Sequence, residues 1–534
     1  MIKLEMFKGI APRFAPQTLP DRAAQVAENC YFGSGALRPH KGLLASGVTT
    51  VAGAKTIFLY SRSTNTWLSY TVDTDIVRSP VAKDAYGRIY LADGTKPVMK
   101  VIGSATLFDL GVPVPDVTGM SLTVDTSGRD PDPPVATSAE TRYYALTYVS
   151  AYGEEGPPSG PKGPYTVYPG DEVDISSIPT GPASGTYNVA TKRLYRTNTG
   201  SDSTEYQMVA SLSLATTTHT DALANSQLGV ILPSVTWDPP PSSLRGLRVH
   251  PSGFLVGYSG KTVYCSELYL PHAWPYSYPV NTEAIVGIEI FGNSVLVMTK
   301  DSPHIMSGQT PEQMVVEKIE LGMACVSKRG AVDMGDVVIY PGVEGLIGVG
   351  VGNTPKLLTE KIMTRREWAS YNPSTLIASQ WDNKYIGFCE AVGGDVGFIY
   401  DPGNDDFSTF SLGMAEAVYY DPSKGDLYVK LEGETGVKLF NAGSSLTYTW
   451  KSRVYRLAKP VSFAAGQVFA DSYPLTVKVY ADGALHHTQT VTSESPFRLP
   501  ATALCSKWEA EITGNVSVNC VFLAETVQEL RQST

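Results

Sequence analysis

Ile377-Ala-Ser-Gln-Trp-Asp-Asn-Lys-Tyr-Ile-Gly-Phe388, followed by Gly397-Phe-Ile-Tyr400, carries the pattern that sets the architecture. It reads strand, turn, strand, turn, strand. The same layout recurs in Leu247–Tyr258 with Thr262–Cys265, in Ile285–Met298, in Ala331–Tyr340 with Gly345–Val349, and in Ala417–Val429 with Gly436–Phe440. The spacing, roughly 40–50 residues, matches the blades of a β-propeller. One sheet of that size cannot bury both faces, so neighbouring sheets must stack about a common axis. Counting residues 54–110 as one or two further blades gives about six or seven. A string of separate small sandwiches is the competing arrangement.

Outward from this core the chain divides as follows. Residues 29–112 read as the first part of the propeller and residues 243–445 as its main part. In the first part, Thr56–Tyr60, Thr66–Tyr70 and Arg88–Ala92 are strands, and Asp93-Gly94 is a hairpin signal. Asn29–Arg38 reads as two short strands about a glycine turn, and residues 29–43 are expected to close the ring by pairing with the last blade. Pro113, Pro115, Pro131, Pro133 and Pro134 frame a break over 112–134. Residues 135–236 then read as an inserted β-sandwich, from strands at Arg142–Val149, Asp171–Ile175, Lys192–Arg196 and Glu205–Ala210, the last two forming a hairpin around Thr199-Gly-Ser-Asp202. Tyr148–Ser159 resembles a strand and turn of fibronectin type III modules. Residues 446–534 carry a final β-module, with strands at Leu475–Tyr480, Trp508–Ile512 and Val516–Phe522. The fold class is therefore all-β: a propeller with an inserted sandwich and a C-terminal β-module.

Helical signals are few. Asp21 is placed to cap a two-turn helix ending near Glu28, and Thr364-Arg-Arg-Glu367 has capping-box spacing ahead of Trp368. Residues 1–28 read as an N-terminal arm, extended over 1–26, because Pro12, Pro16 and Pro20 recur every four residues.

Composition bounds the function. Of 534 residues 43% are hydrophobic, with 49 Gly, 37 Pro and 30 Tyr, the vocabulary of short strands and tight turns. No apolar run of about 18 residues suggests a membrane span, and the opening lacks the apolar core of a signal peptide. A net charge of -10 argues against gripping nucleic acid with a basic patch. Cys30, Cys265, Cys325, Cys389, Cys505 and Cys520 form no C-x-x-C pair and read as free thiols.

Chemical motifs are near misses. Gly257-Tyr-Ser-Gly-Lys-Thr262 ends like a phosphate-binding loop, but Leu255 replaces the first glycine and a strand follows, so a hairpin turn is expected. Gly348-Val-Gly-Val-Gly352 precedes Pro355 rather than a helix and reads as an inter-strand loop. Asp125-Thr-Ser-Gly128 has no second copy to pair with. Asp401, Asp405 and Asp406 sit in turn composition, and His486-His487 follows a hairpin turn. No catalytic residue, metal ligand or cofactor site is assigned.

Gly9-Ile-Ala-Pro-Arg-Phe-Ala-Pro16, Leu19-Pro-Asp-Arg-Ala-Ala-Gln-Val-Ala-Glu-Asn29 and Gly35-Ala-Leu-Arg-Pro39 together resemble the start of phage tail proteins. With Trp237-Asp-Pro-Pro-Pro241 and the propeller layout, most of the chain resembles the nozzle, or tail-hub, proteins of short-tailed bacteriophages. The resemblance implies a non-enzymatic virion protein, assembled in the bacterial host cytoplasm. It implies a six-fold ring at the distal tail end through which double-stranded DNA leaves without sequence-specific binding. It further implies an adaptor or tail-tube protein above and fibres or spikes attached. Acidic charge facing such a channel would repel DNA phosphates. On this reading the arm contacts a neighbouring subunit or ring, with Pro12, Arg13, Phe14, Pro16, Leu19 and Arg22 as candidate assembly contacts, and is ordered only there. The rivals are a sugar-binding propeller using Trp67, Trp274 and Trp381 as aromatic platforms, and a polysaccharide-degrading enzyme.

Overall fold

The structure, a computed structural model, describes residues 1–61, 65–130, 133–199, 204–280, 283–350 and 352–531. Pro131, Gly200 to Asp202 of the expected hairpin turn, and Val351 of the glycine-rich loop lie outside the described residues. The fold is all-β, built from many small sheets. The α-helices among the described residues, Arg365–Ala369 and Val527–Arg531, have five residues each. No helix of the described residues is long and apolar enough to cross a membrane. The chain forms two compact units: Met1–Asp73, Glu289–Ile305 and Glu317–Thr534 make one; Thr74–Ile288 and Met306–Val316 make the other.

The first unit contains a two-sheet sandwich made from both ends of the sequence. One sheet runs Ile2–Glu5, Val518–Ala524, Ala465–Ala470, Phe497–Arg498. The facing strands are Ala24–Glu28, Tyr448–Ser452, Cys505–Gly514, Leu475–Ala481 and Ala484–Val491. Leu475, Val477, Val479 and Ala481 alternate inward at the period of two that a strand imposes. They close over Ile2, Leu4, Phe7, Trp450, Trp508 and Ile512.

Residues 1–28 are thus not a free extended arm. Ile2–Glu5 pairs antiparallel with Val518–Ala524, and Ala24–Glu28 with Tyr448–Ser452. The helix expected after Asp21 is absent for two reasons. Arg22 takes a left-handed φ of 74°, which a helical first turn does not accept. A register shift between Ala24 and Val26 then lets Ala24 and Ala27 both face the core, so a bulged strand imitates helical i, i+3 spacing.

The repeated stretches form antiparallel sheets. Ile377–Trp381, Lys384–Ala391, Gly394–Asp401 and Asp406–Phe410 are one meander. Its first hairpin turns on Asp382 and Asn383, both at positive φ (51° and 56°), as a two-residue turn between twisted strands requires. The meander joins the sandwich through one parallel pair, Glu28 with Thr409. Val332–Asp333, Val337–Pro341, Leu346–Gly350 and Lys356–Leu357 make a second sheet. Ala415–Asp421, Asp426–Leu431 and Gly436–Leu439 make a third, whose fourth strand is Leu44–Thr49. The strand from the start of the chain that completes this sheet is therefore 44–49. Residues 29–43 hold the small Cys30–Tyr31/Arg38–Pro39 ladder and meet the segment after the third sheet through a Lys41–Ser445 bridge and the Gly42 N–H on the Ser444 carbonyl (2.8 Å). Thr56–Ser61 and Asn65–Tyr70 form a two-stranded hairpin. Ile285–Phe291, Ser294–Thr299, His304–Ser307 and Val315–Lys318 make a further four-stranded sheet.

The second unit holds two more four-stranded sheets. One is Asp75–Arg78, Arg88–Ala92, Val98–Val101 and Leu107–Asp109. The other is Arg245–Val249, Leu255–Ser259, Thr262–Cys265 and Tyr276–Pro279. Ser259 pairs with Thr262 across Gly260-Lys261, so the phosphate-loop look-alike is a tight hairpin. Between the two lies the inserted sandwich. Its larger sheet runs Lys162–Val167, Glu140–Ser150, Val189–Thr199, Thr204–Ser213, and its smaller one Ser121–Asp125, Glu172–Ser176, His219–Asp221. The sandwich starts earlier than 135, since Ser121–Asp125 pairs antiparallel with Glu172–Ser176. Only Leu122 and Val124 of that edge strand turn to the core, too short an alternation to stand out among the prolines.

Candidate assembly site

The candidate contacts lie on the loop between the first two strands. Pro12, Arg13, Phe14, Pro16 and Arg22 are exposed, Phe14 by 36%. Leu19 is the exception, buried with Ala11 and Ala23, and it anchors the loop rather than offering a contact. The proline spacing builds turns, not an extended chain. The Phe14 N–H donates to the Ala11 carbonyl (3.1 Å) and the Thr18 N–H to the Ala15 carbonyl (2.8 Å). Pro12 and Pro16 thereby fall at the second position of successive four-residue turns, where a fixed φ is favoured. A third turn closes with the Ala23 N–H on the Pro20 carbonyl (3.2 Å).

The loop is clasped by its own chain. The Arg13 N–H donates to the Ile362 carbonyl (3.0 Å), and Arg13 Nη1 to the Glu360 carbonyl (2.9 Å). The Val454 N–H donates to the Pro16 carbonyl (2.9 Å). Arg453 pairs with Asp21 and donates through Nη2 to the Gln17 carbonyl (3.1 Å). At its root, the Ile10 N–H donates to the Phe407 carbonyl (2.7 Å) and Trp450 Nε1 to the Lys8 carbonyl (3.0 Å). Gly9 is needed there because a Cβ would collide with the Phe407 carbonyl oxygen. Order in this loop therefore does not require a neighbour.

Grooves of several hundred Å³ open on this unit. One of about 430 Å³ runs beside the loop and is lined by Lys8, Arg22, Lys361, Asp21, Asp405 and Asp406. A second, about 360 Å³, is bordered by Pro16 and Gln17 and carries Lys451, Arg456, Lys507 and Glu509. The third, about 350 Å³, lies away from the loop. Its charged lining is Glu28 and Asp395, and its apolar wall includes Tyr371, Val392 and Val396. Nothing in the sequence marked this third groove, because its walls come from chain segments hundreds of residues apart.

The other flagged residues have structural partners. Asp401 accepts from the Gly403 N–H (3.0 Å) and Asn404 Nδ2 (3.1 Å), and Asp405 from the Tyr400 hydroxyl (3.3 Å). Asp406 accepts from the Gly9 N–H (3.3 Å), and burial raises its carboxyl above the ordinary range. His486 lies 3.1 Å from the Pro500 carbonyl, and His487 3.3 Å from Gln489 Oε1. Trp67 packs edge-on against Tyr419 and Tyr428, and Trp381 against Phe440. Trp274 is buried, its Nε1 donating to the Pro271 carbonyl. All six cysteines are free, five of them buried. Among the described residues no group of three or more His, Cys, Asp or Glu is placed to hold a metal ion.

No family model matches the chain, and no curated protein matches it. Solved structures that align with it include the computationally designed protein Ika8 (9% identity, 78% of this chain, 99% of that one, TM-score 0.31). BBS1N in complex with ARL6DN aligns at 9% identity over 75% of this chain and 97% of that one, with a TM-score of 0.30. The C-terminal WD40 domain of Sif2 aligns at 9% identity over 78% and 99%, with a TM-score of 0.25.

Proposed function

We propose that the chain is a non-enzymatic structural protein of a bacteriophage tail. In this reading the repeated small sheets are the blades of a β-propeller, and Leu44–Thr49 is the strand that latches first blade to last. The Ser121–Asp221 sandwich is a fibronectin-III-like insertion, and the two-ended sandwich is the C-terminal module. Copies form a hexameric ring, the nozzle, at the distal end of the tail. An adaptor or tube protein docks above, fibres or spikes attach outside, and double-stranded DNA passes through without sequence-specific contact. The protein resides in the virion and is assembled in the host cytoplasm.

The observation that carries this reading is the loop 12–18: seven consecutive exposed residues, framed by prolines and held rigid on a folded body. A preorganised loop loses little entropy on binding, and it coincides with the stretch that resembles phage tail proteins. Negative-stain microscopy of the purified protein tests the proposal. Six-fold rings are the expected result. A protein that stays monomeric at every concentration, alone and with its genomic neighbours, rejects it.

A further inference from the structure

The loop offers one exposed aromatic, Phe14, beside one exposed cation, Arg13. A closed ring needs heterologous contacts, in which one patch meets a different patch on the next copy. The matching patch has to be concave, apolar at its centre and acidic at its rim. Of the three grooves described above, two border the loop itself and carry three cations each. The third has Glu28 and Asp395 as its charged lining, with no cation. It also presents Val392, which at 83% exposure is the most exposed large apolar residue among the described residues. A single exposed valine is ordinary on a protein surface; what distinguishes this groove is the combination of apolar walls with an acidic lining.

We infer that the Pro12–Pro16 turn of one copy seats Phe14 in the Tyr371/Val392/Val396 groove of the next copy, with Arg13 facing Glu28 and Asp395. The inference rests on the ring reading above and specifies the contact that builds the ring. A single aromatic anchor in a small pocket with a charged partner at its rim is the usual anatomy of an interface hot spot. Phe14 is preorganised for that role because the turn on either side of it is already hydrogen-bonded. Charge complementarity selects this groove over the other two.

The test is charge reversal with rescue. Arg13→Glu and Asp395→Arg are made singly and together in the full chain, with circular dichroism to check folding, and ring formation is followed by sedimentation. Each single variant should weaken assembly at least tenfold, and the double variant should regain most of the loss. Phe14→Ala should also weaken it at least tenfold. A Phe14→Cys/Val392→Cys chain, oxidised, should give a ladder of covalent multimers that neither single cysteine variant gives. If wild-type protein forms rings and the charge variants assemble equally well, the contact is wrong and the ring reading survives. A cross-linked product that runs as a monomer places the loop in the groove of its own chain and overturns the second-copy occupant. If the wild type never forms rings, both readings fall.

Discussion

The two sandwiches of this protein share a two-layer plan and hold it together by different means. The one built from both ends of the sequence has an apolar interior, with Trp450, Trp508 and a row of valines and isoleucines between its sheets. Its ion pairs, such as Lys478–Glu511 (2.7 Å), reach the rim. The inserted sandwich has a smaller apolar cluster and buries charge beside it. Arg196 is fully buried, its Nε 2.9 Å from an equally buried Asp221, which also accepts from the Tyr144 hydroxyl. Lys192 is buried as well and donates to the carbonyls of Pro179 (2.6 Å), Leu214 (3.1 Å) and Thr216 (2.5 Å). Buried Glu155 accepts from Thr147, Tyr195 and Arg193. Apolar area stabilises without direction; buried ions cost solvation but tolerate only one arrangement of their partners. The insertion thus relies on polar registration where the other sandwich relies on volume.

The largest expected effect comes from breaking the buried pair. Arg196→Ala leaves the buried Asp221 without its cation, and should destabilise the second unit by about 3–5 kcal/mol in urea unfolding. Replacing both partners together, as Arg196→Met/Asp221→Leu, should recover most of that loss. If the double variant is as unstable as the single, the pair does more than fix geometry.

Acid probes a third apolar cluster, outside both sandwiches, where the meander meets the sheet that follows it. In the first unit His40 is buried against Phe410 and Phe440. Burial pushes its pKa down to about 4 from 6.5. Between those values the unfolded chain binds a proton that the folded one refuses. The stability this residue confers is therefore full above pH 6.5 and falls as pH drops towards 4, by about 3 kcal/mol. His40→Phe should flatten that part of the stability profile; an unchanged slope assigns it to other groups.

Lys192→Met should cost about 1–3 kcal/mol by leaving carbonyls without their donor, measured as a lower urea midpoint for the second unit. Smallest of all, Lys478→Gln on the rim of the apolar sandwich should change stability by less than about 1 kcal/mol, and less still in high salt. A loss as large as that of Lys192 would erase the contrast between the two sandwiches.

Much of the fold was legible from period-two alternation and turn residues. Thr56–Tyr60, Arg88–Ala92 and Ile377–Trp381 are strands as their sequence demands. The Thr364/Glu367 capping box is formed, with Glu367 Oε2 accepting from the Thr364 N–H (2.6 Å). Three things were not legible. Ala24 and Ala27 imitate a helix because a bulge displaces the strand's phase. Ser121–Asp125 is an edge strand with only two inward side chains. The Tyr371/Val392 groove depends on Glu28 being paired beside Thr409, a contact no local pattern announces. The buried ions left a faint signal, cations interleaved with apolar residues in Lys192-Arg-Leu-Tyr-Arg196, which reads equally well as a solvated strand.

The pairing of Ile2–Glu5 with Val518–Ala524 also orders events in time. A ribosome adding roughly 5–20 residues per second needs about half a minute to two minutes to go from one strand to the other. Until then Ile2 and Leu4 have no strand to pair with, although the clasps of the loop that follows them, up to Val454, have already been made. A prematurely terminated polypeptide consequently leaves its first strand without a partner, so any assembly that needs that strand anchored is closed to unfinished chains.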